Sequence, residues 1–234
     1  MKALIGLVGK PYKGERWNYI QEVDEIREAL ISNGAKVIGI VPQTLTVDAN
    51  WKDYPHYEDY DMENMNDLDE ILDLCNGVVL QGGGVACNYE RYIAKFCIEK
   101  NIPLLGICCG MMNMARATNG KLEYTDKEYM MKNHLDLSNM NKHKVTISEG
   151  SLLYKIIGKE EIITNSIHSG RVIDPGMYKI IAKATDGIVE ALEYEGAYFN
   201  LGVQWHPELM YKNNKEQNDI FKSFIKAAED KKTR

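Results

Sequence analysis

No stretch of this sequence is apolar for long enough to suggest a membrane span. Positive charge is also in short supply. With 28 Lys and Arg against 34 Asp and Glu, the formal net charge is -6, which argues against nucleic acid or an anionic membrane as the main partner. The five cysteines (Cys75, Cys87, Cys97, Cys108 and Cys109) are odd in number and lack metal-type spacing. They suit a reduced, cytoplasmic setting better than a disulfide framework. Cys75 and Cys97 lie in apolar segments and read as core residues. Internal repeats and low-complexity linkers are missing too, and 234 residues suit one domain spanning 1–234. The start, Met1 to Val8, is too short for a signal-peptide core and reads as a first β-strand. No Gly-Lys-Ser/Thr follows Gly82-Gly83-Gly84, so a Walker-type phosphate loop is excluded there.

What the chain does have is alternation. Strand Leu4–Val8 precedes an amphipathic pattern from about Tyr19 to Asn33, and Gly34 stands where a helix-ending glycine belongs. Strand Lys36–Val41, a helix near Asp67–Cys75, strand Gly77–Leu80, a helix near Tyr89–Lys100 and strand Pro103–Ile107 follow. This order predicts an α/β fold, a flavodoxin-like three-layer sandwich with a mostly parallel central sheet. The second half is richer in strands (Lys144–Ile147, Glu161–Thr164, Tyr178–Ala184, Ile188–Tyr194 and Tyr198–Val203), several of which could run antiparallel. Thr44–Asn66 is polar, aromatic and acidic without a clear period and reads as a long loop near the site. Helix Asn218–Ala228 closes the chain, and Glu229–Arg234 reads as a fraying charged tail.

Chemistry concentrates at two places. Gly106-Ile107-Cys108-Cys109-Gly110 joins an apolar strand to a helix-like stretch beginning at Met111. A strand turning sharply into a helix around G-x-C-x-G is a nucleophile elbow with Cys in the reactive position. Such an apex is held in strained backbone, and small residues two positions away on each side let strand and helix touch. The helix N-terminus favours a thiolate there. Downstream, Gly202-Val203-Gln204-Trp205-His206-Pro207-Glu208 follows a short apolar strand. A Cys nucleophile needs a base, and the base needs an orienting carboxylate; His206 and Glu208 can supply both from one loop. The backbone N–H of Cys109, the residue after the apex, is a candidate oxyanion donor. Gly82-Gly83-Gly84 follows a strand, which suits either an oxyanion loop or a plain turn. His56, His134 and His143 lie in polar surroundings and read as surface residues.

Together these motifs resemble the class I glutamine amidotransferase superfamily, and within it the stand-alone gamma-glutamyl-gamma-aminobutyrate hydrolases. The likeness runs nearly end to end. It takes in Gly6-Leu7-Val8, Val41-Pro42, the glycine loop, Ile162 to His168, and Asp186-Gly187-Ile188-Val189-Glu190-Ala191. The resemblance implies Cys108 as nucleophile, His206 as base and Glu208 as orienting acid, with Gly83 as the second oxyanion donor. It implies neither metal nor cofactor.

Three departures stand out against that family's pattern. Met112 occupies a position often held by Gln or Glu, Cys109 one often held by Arg. In Asn165-Ser166-Ile167-His168-Ser169-Gly170 the family's first His is kept as His168, while its second His and its Gln are replaced by Ser169 and Gly170. Met112, His168 and Ser169 are therefore candidate pocket residues. Arg171 either binds a substrate carboxylate bidentately or is an ordinary surface arginine. The implied activity is hydrolysis of a small gamma-glutamyl or related amide through an acyl-enzyme. An ammonia-delivering glutaminase subunit is the alternative within the superfamily, and a catalytically silent binding protein is the alternative outside it. The sequence leaves the leaving amine, a synthase partner and a homodimer open.

Overall fold

The structure is a computed structural model that describes residues 2–13, 15–43, 66–83, 88–124, 127–135 and 142–232. Most of the expected 44–66 loop, Gly84, His56 and Cys87 lie outside the described residues.

β-Branched and leucine-rich runs of four to six residues form the sheet, and the central ones, such as Gly77–Leu80 and Leu104–Ile107, bury both of their faces. The strands are β1 (Leu4–Val8), β4 (Lys36–Ile40), β5 (Gly77–Leu80), β6 (Leu104–Ile107), β8 (Lys142–Ile147), β9 (Glu161–Asn165), β11 (Lys179–Ala184), β12 (Val189–Glu193) and β13 (Asn200–Val203). Their order in space is β4-β1-β5-β6-β13-β12-β11-β8-β9. The first five run parallel, and every pairing from β13 to β9 is antiparallel. The mixed sheet is thus the one expected, with the switch in direction at β13.

Helices cover both faces. Val79, Leu105 and Ile107 point to one side, where α1 (Asp24–Ser32) and α7 (Lys215–Lys232) pack through Ile26, Leu30, Phe221 and Phe224. Val78, Leu80 and Leu104 point to the other, into a core shared with α2 (Asn66–Asp73), α3 (Asn88–Glu99) and α4 (Cys109–Ala117) through Leu72, Ile93, Met111 and Met114. Fully burying an aliphatic side chain contributes about 1.5–3 kcal/mol, so these two layers hold the central strands in place. Cys75 and Cys97 are core residues as expected; burial pushes the Cys75 thiol up to about 11 and the Cys97 thiol higher still.

Several boundaries differ from the sequence reading. The amphipathic stretch begun at Tyr19 is not all helix: β2 (Lys10–Lys13) pairs antiparallel with β3 (Asn18–Gln21), and α1 starts only at Asp24. The Val23 carbonyl accepts from the backbone N–H groups of Ile26 and Arg27, which sets that start. Gly34 does follow the helix at φ +97°, in the left-handed region a glycine tolerates. The last helix runs on to Lys232, so most of the supposed fraying tail is helical. The short elements β7 (Lys121–Glu123), α5 (Lys127–Asn133), α6 (Leu152–Ile157) and β10 (Arg171–Asp174) complete the chain. They carry too few residues to set up a readable period. No helix among the described residues is long and apolar enough to cross a membrane.

Candidate active site

Register brings the two motifs together. β6 and β13 are neighbouring parallel strands with Gly202 opposite Gly106 and Val203 opposite Ile107. Their carboxyl ends therefore lie side by side, and Cys108 N donates to Val203 O at 2.8 Å. β5 ends at the same level, with Leu80 opposite Gly106, which delivers Gly82 and Gly83 to the same edge.

Cys108 caps α4 with φ +52° and ψ −109°. A non-glycine residue in this region stores strain of order 1–3 kcal/mol, and the packing around it shows why the turn cannot relax. A Cβ on Gly110 would lie 2.1 Å from Leu80 O, and a Cβ on Gly106 would lie 2.9 Å from Gly110 C. Both flanking glycines are there because strand and helix touch, as the elbow reading requires.

The side chains form a chain of contacts. His206 Nδ1 lies 2.6 Å from Glu208 Oε1, and the Cys108 thiol interacts with the same imidazole. Gln204 Nε2 approaches Cys108 Sγ at 3.6 Å. Burial disfavours a charged His206, but the Glu208 carboxylate and then Cys108 outweigh it and hold the imidazole well above its ordinary value. Glu208 is buried in a 3-10 turn, Pro207–Leu209, that Pro207 opens and Trp205 anchors by donating Nε1–H to Gln217 Oε1 at 2.7 Å. The adjacent thiol is treated differently. Cys109 is fully buried, which pushes it up to about 12, even with Lys10 Nζ at 3.6 Å from its sulfur. Lys10 is itself buried and paired with Glu90 at 2.7 Å.

A cavity of about 450 Å³ opens over Cys108 and is walled by Gly83, Met112, Tyr124, Leu135, Ile167 and His168 among others. Ser169, Gly170 and His206 also line it. Gly83 (φ +136°) and the start of α4 at Cys109 flank Cys108. A side chain on Gly82 would meet His206 Cε1 at 2.7 Å, so this loop has to stay bare for the imidazole to fit. Gly170 is equally tight: a Cβ there would meet the Tyr124 ring at 2.4 Å and Met112 Sδ at 3.1 Å. Tyr124 and Met112 fill the space that a longer residue at position 170 would need.

Of the candidate pocket residues, Met112, His168 and Ser169 line the cavity and Arg171 does not. Arg171 is ion-paired with Glu123, its Nε donating to Oε2 at 2.7 Å across the β10–β7 ribbon, and its head is thereby committed outside the cavity. His134 and His143 are corrected as well. His134 is buried with its ring nitrogens on Ser166 Oγ and Asp186 Oδ2, and His143 is largely buried and faces Glu190, which is fully buried on β12. Their polar sequence neighbours disguised this, since side chains alternate in and out along β8, and His134, just past the short α5, is buried by tertiary packing. His134, His143 and Glu190 are also the residues that could hold a metal ion among those described.

One site residue went unassigned at the sequence level. Asn165, at the end of β9, clasps the His206 backbone from both sides: Nδ2 donates to His206 O and Oδ1 accepts from His206 N, each at 2.8 Å. Its only sequence signal was membership of the Asn-Ser-x-His stretch.

The sequence profile of the Peptidase C26 family matches residues 86–208, more than half of the chain. A glutamine amidotransferase-like protein of Rickettsia prowazekii is 29% identical over 233 residues, covering 72% of this chain and 82% of its own length. The gamma-glutamyl-gamma-aminobutyrate hydrolase of Escherichia coli is 28% identical over 148 residues, covering 58% of each. A CTP synthase of Methanosphaera stadtmanae is 29% identical over 266 residues, which take in 99% of this chain but only 45% of that enzyme. The chain thus spans little more than half of the hydrolase and less than half of the synthase. Among solved structures, the glutaminase domain of Trypanosoma brucei CTP synthase superposes with a TM-score of 0.67 at 19% identity, over 98% of this chain and 94% of the domain, a likeness of fold.

Proposed function

Because the chain belongs to the Peptidase C26 family, we propose that it is a cysteine-dependent amidohydrolase of one domain acting on a small gamma-glutamyl or related amide. The observation that carries the reading is the His206 imidazole held between Glu208 Oε1 at 2.6 Å and the strained Cys108 at the mouth of the cavity. In this reading the Cys108 thiolate adds to the amide carbonyl carbon. The oxyanion forms beside the backbone N–H groups of Gly83 and Cys109. His206, protonated, gives its proton to the departing amine as the C–N bond breaks, leaving a thioester. It then takes a proton from water as the hydroxyl adds to the thioester carbon, and the C–S bond breaks to release the acid and restore the thiolate beside the protonated imidazole. Glu208 holds the imidazole and stabilises its cation without taking the proton. Met112, Tyr124 and Leu135 make the cavity wall apolar, which suits an amide with an apolar amine portion more than free glutamine.

A second reading rests on the 99% coverage of this chain by a CTP synthase match: a glutaminase subunit that passes ammonia to a partner. Purified protein, glutamine and a panel of gamma-glutamyl alkylamines separate the readings by kcat/KM without any partner added. Preference for the alkylamides supports the hydrolase. Ammonia release from glutamine as the best reaction favours the subunit, and turnover of none of them makes this a silent binding protein.

A further inference from the structure

Behind the wall of the active-site cavity lies a second polar group that the proposed reaction does not use. Four elements contribute. His134 follows α5, His143 sits on β8, Glu190 on β12, and His168 on the segment between β9 and β10. Glu190 is fully buried, and neither of its oxygens has a hydrogen-bond partner of proper geometry among the described residues. Its nearest neighbours are His143 Nε2 at 3.4 Å and His168 Nε2 at 3.5 Å, and no lysine or arginine among the described residues pairs with it. Those two imidazole nitrogens are likewise buried without a proper partner. The carboxylate thus meets its two imidazoles through long contacts of poor hydrogen-bond geometry, which leaves lone pairs that a cation would satisfy.

We propose that His134, His143 and Glu190 bind one divalent transition-metal ion of the Zn2+ class. The donor atoms all lie within 4.8 Å of one another. A tetrahedral ion with bonds of ~2.0–2.1 Å spaces its donors by roughly 3.4 Å, so small side-chain rotations complete the set. Two imidazoles and one carboxylate select a borderline ion such as Zn2+ or Co2+ over Mg2+ or Ca2+, which take oxygen donors. A supporting shell is already in place around His134. Asp186 Oδ2 lies 2.8 Å from its Nε2 and Ser166 Oγ 3.0 Å from its Nδ1. One of these contacts gives way to the ion, and the other keeps the ring oriented. Ser166 Oγ also reaches His134 O at 3.3 Å, so its hydroxyl is not stranded if it is the one displaced. An entry path exists as well: a cavity of about 330 Å³, separate from the one over Cys108, is lined in part by His134, His143 and Asp186. The bound ion would fix Glu190 and, through it, His168, a wall residue of the active-site cavity.

The site does not depend on the amidohydrolase reading, and its test does not use turnover. Chelator-treated full-length protein is titrated with Co2+, followed by visible absorption, and then with Zn2+ in competition, with stoichiometry taken from elemental analysis. The Cys108→Ala protein is run beside it, because a thiolate next to a histidine also attracts zinc. The expected result is one equivalent per chain in both proteins, no sulfur-to-cobalt charge-transfer band, and a melting temperature that rises with Zn2+ concentration. His143→Ala, at the more exposed edge of the group, should weaken uptake at least ~10-fold, and Glu190→Gln should do the same where it folds. Circular dichroism establishes folding of each variant. Uptake that disappears in Cys108→Ala, uptake undiminished in folded His143→Ala, or no stoichiometric uptake at all would overturn the proposal and leave a metal-free hydrogen-bonded cluster.

Discussion

Two histidine–carboxylate groups lie on either side of one cavity wall, and they are built in opposite ways. In the first, His206 and Glu208 come from one loop, two residues apart, and the nucleophile candidate sits between glycines two residues away on each side. In the second, His134, His143, His168 and Glu190 come from four elements spread over more than fifty positions. The first is dense with direct contacts, His206 being held through its ring by Glu208 and through its backbone by Asn165. In the second, Glu190 looks onto histidine nitrogens at 3.4 and 3.5 Å without a proper hydrogen bond. His134 is held by Asp186 and Ser166 at 2.8 and 3.0 Å, so the looseness of the second group is confined to the surroundings of Glu190, where the ion is proposed to bind.

The sharpest way to break this contrast is at the elbow, where two adjacent cysteines sit in different surroundings. Cys108→Ala should lower kcat by about 10^4-fold or more, while Cys109→Ala should stay within about tenfold of the parent. Iodoacetamide labelling, mapped by mass spectrometry, should fall on Cys108, because burial pushes the Cys109 thiol up to about 12. Labelling of Cys109 with activity lost in step would reverse the assignment.

Next in size is the carboxylate of the first group. Glu208→Gln should reduce kcat by roughly 10^2–10^4-fold with little change in KM, and less than His206→Ala. The sign of its pH effect follows from the raised His206 value. A group whose folded value lies above its unfolded 6.5 stabilises the fold fully below 6.5, and that contribution is lost as pH rises through the folded value. The parent should therefore lose stability in a window that starts at 6.5 and extends upward, and Glu208→Gln should shrink that loss. Urea denaturation across this range, with the pH profile of Cys108 alkylation, tests both. An unchanged profile would mean that Glu208 does not act through His206.

These two predictions concern residues that could be read directly from the chain, and the reason is geometric. Elbow chemistry is local: a helix, a strand end and two glycines leave a five-residue signature, and a proline fixes the next pair. The parallel half of the sheet was legible for the same reason, since strands such as Val78–Leu80 and Leu104–Ile107 are buried on both faces and read as continuous apolar runs. What escaped was tertiary. Asn165 acts on a backbone 41 residues away. His134 and His143 look solvated in sequence because their neighbours are Lys132, Asn133, Lys142 and Lys144. Arg171 stayed open between a substrate contact and a surface arginine, because Glu123, its ion-pair partner, lies on a three-residue strand too short to predict. β3 was absorbed into a helix and β2 was given no element, because four-residue strands cannot display a period clearly.

Asn165 offers the next test, since it belongs to the first group without touching the reacting atoms. Asn165→Ala removes both hydrogen bonds to the His206 backbone and should lower kcat about 10–100-fold by misplacing the imidazole, with KM nearly constant. Asn165→Asp keeps the acceptor for His206 N but loses the donor to His206 O, so it should recover part of the loss. A KM effect equal to the kcat effect would show that Asn165 shapes the pocket rather than positioning the base.

The smallest expected effect concerns the wall that the two groups share. Met112 and Tyr124 fill the space over Gly170, and the cavity is apolar where the resembling family often carries polar side chains. A site that hydrogen-bonds a polar substrate group rejects analogues without it strongly, whereas an apolar wall distinguishes ligands by only ~1–3 kcal/mol. Met112→Gln should therefore shift the ratio of kcat/KM for glutamine over gamma-glutamyl alkylamines about tenfold toward glutamine and leave Cys108 alkylation unchanged. The same substitution does not touch Glu190 or its histidines, so metal uptake, where present, should not move with it. A ranking that stays fixed while activity survives would mean that the amine end of the substrate lies away from Met112. The apolar wall would then serve the packing of Tyr124 and leave substrate choice to the residues around His168.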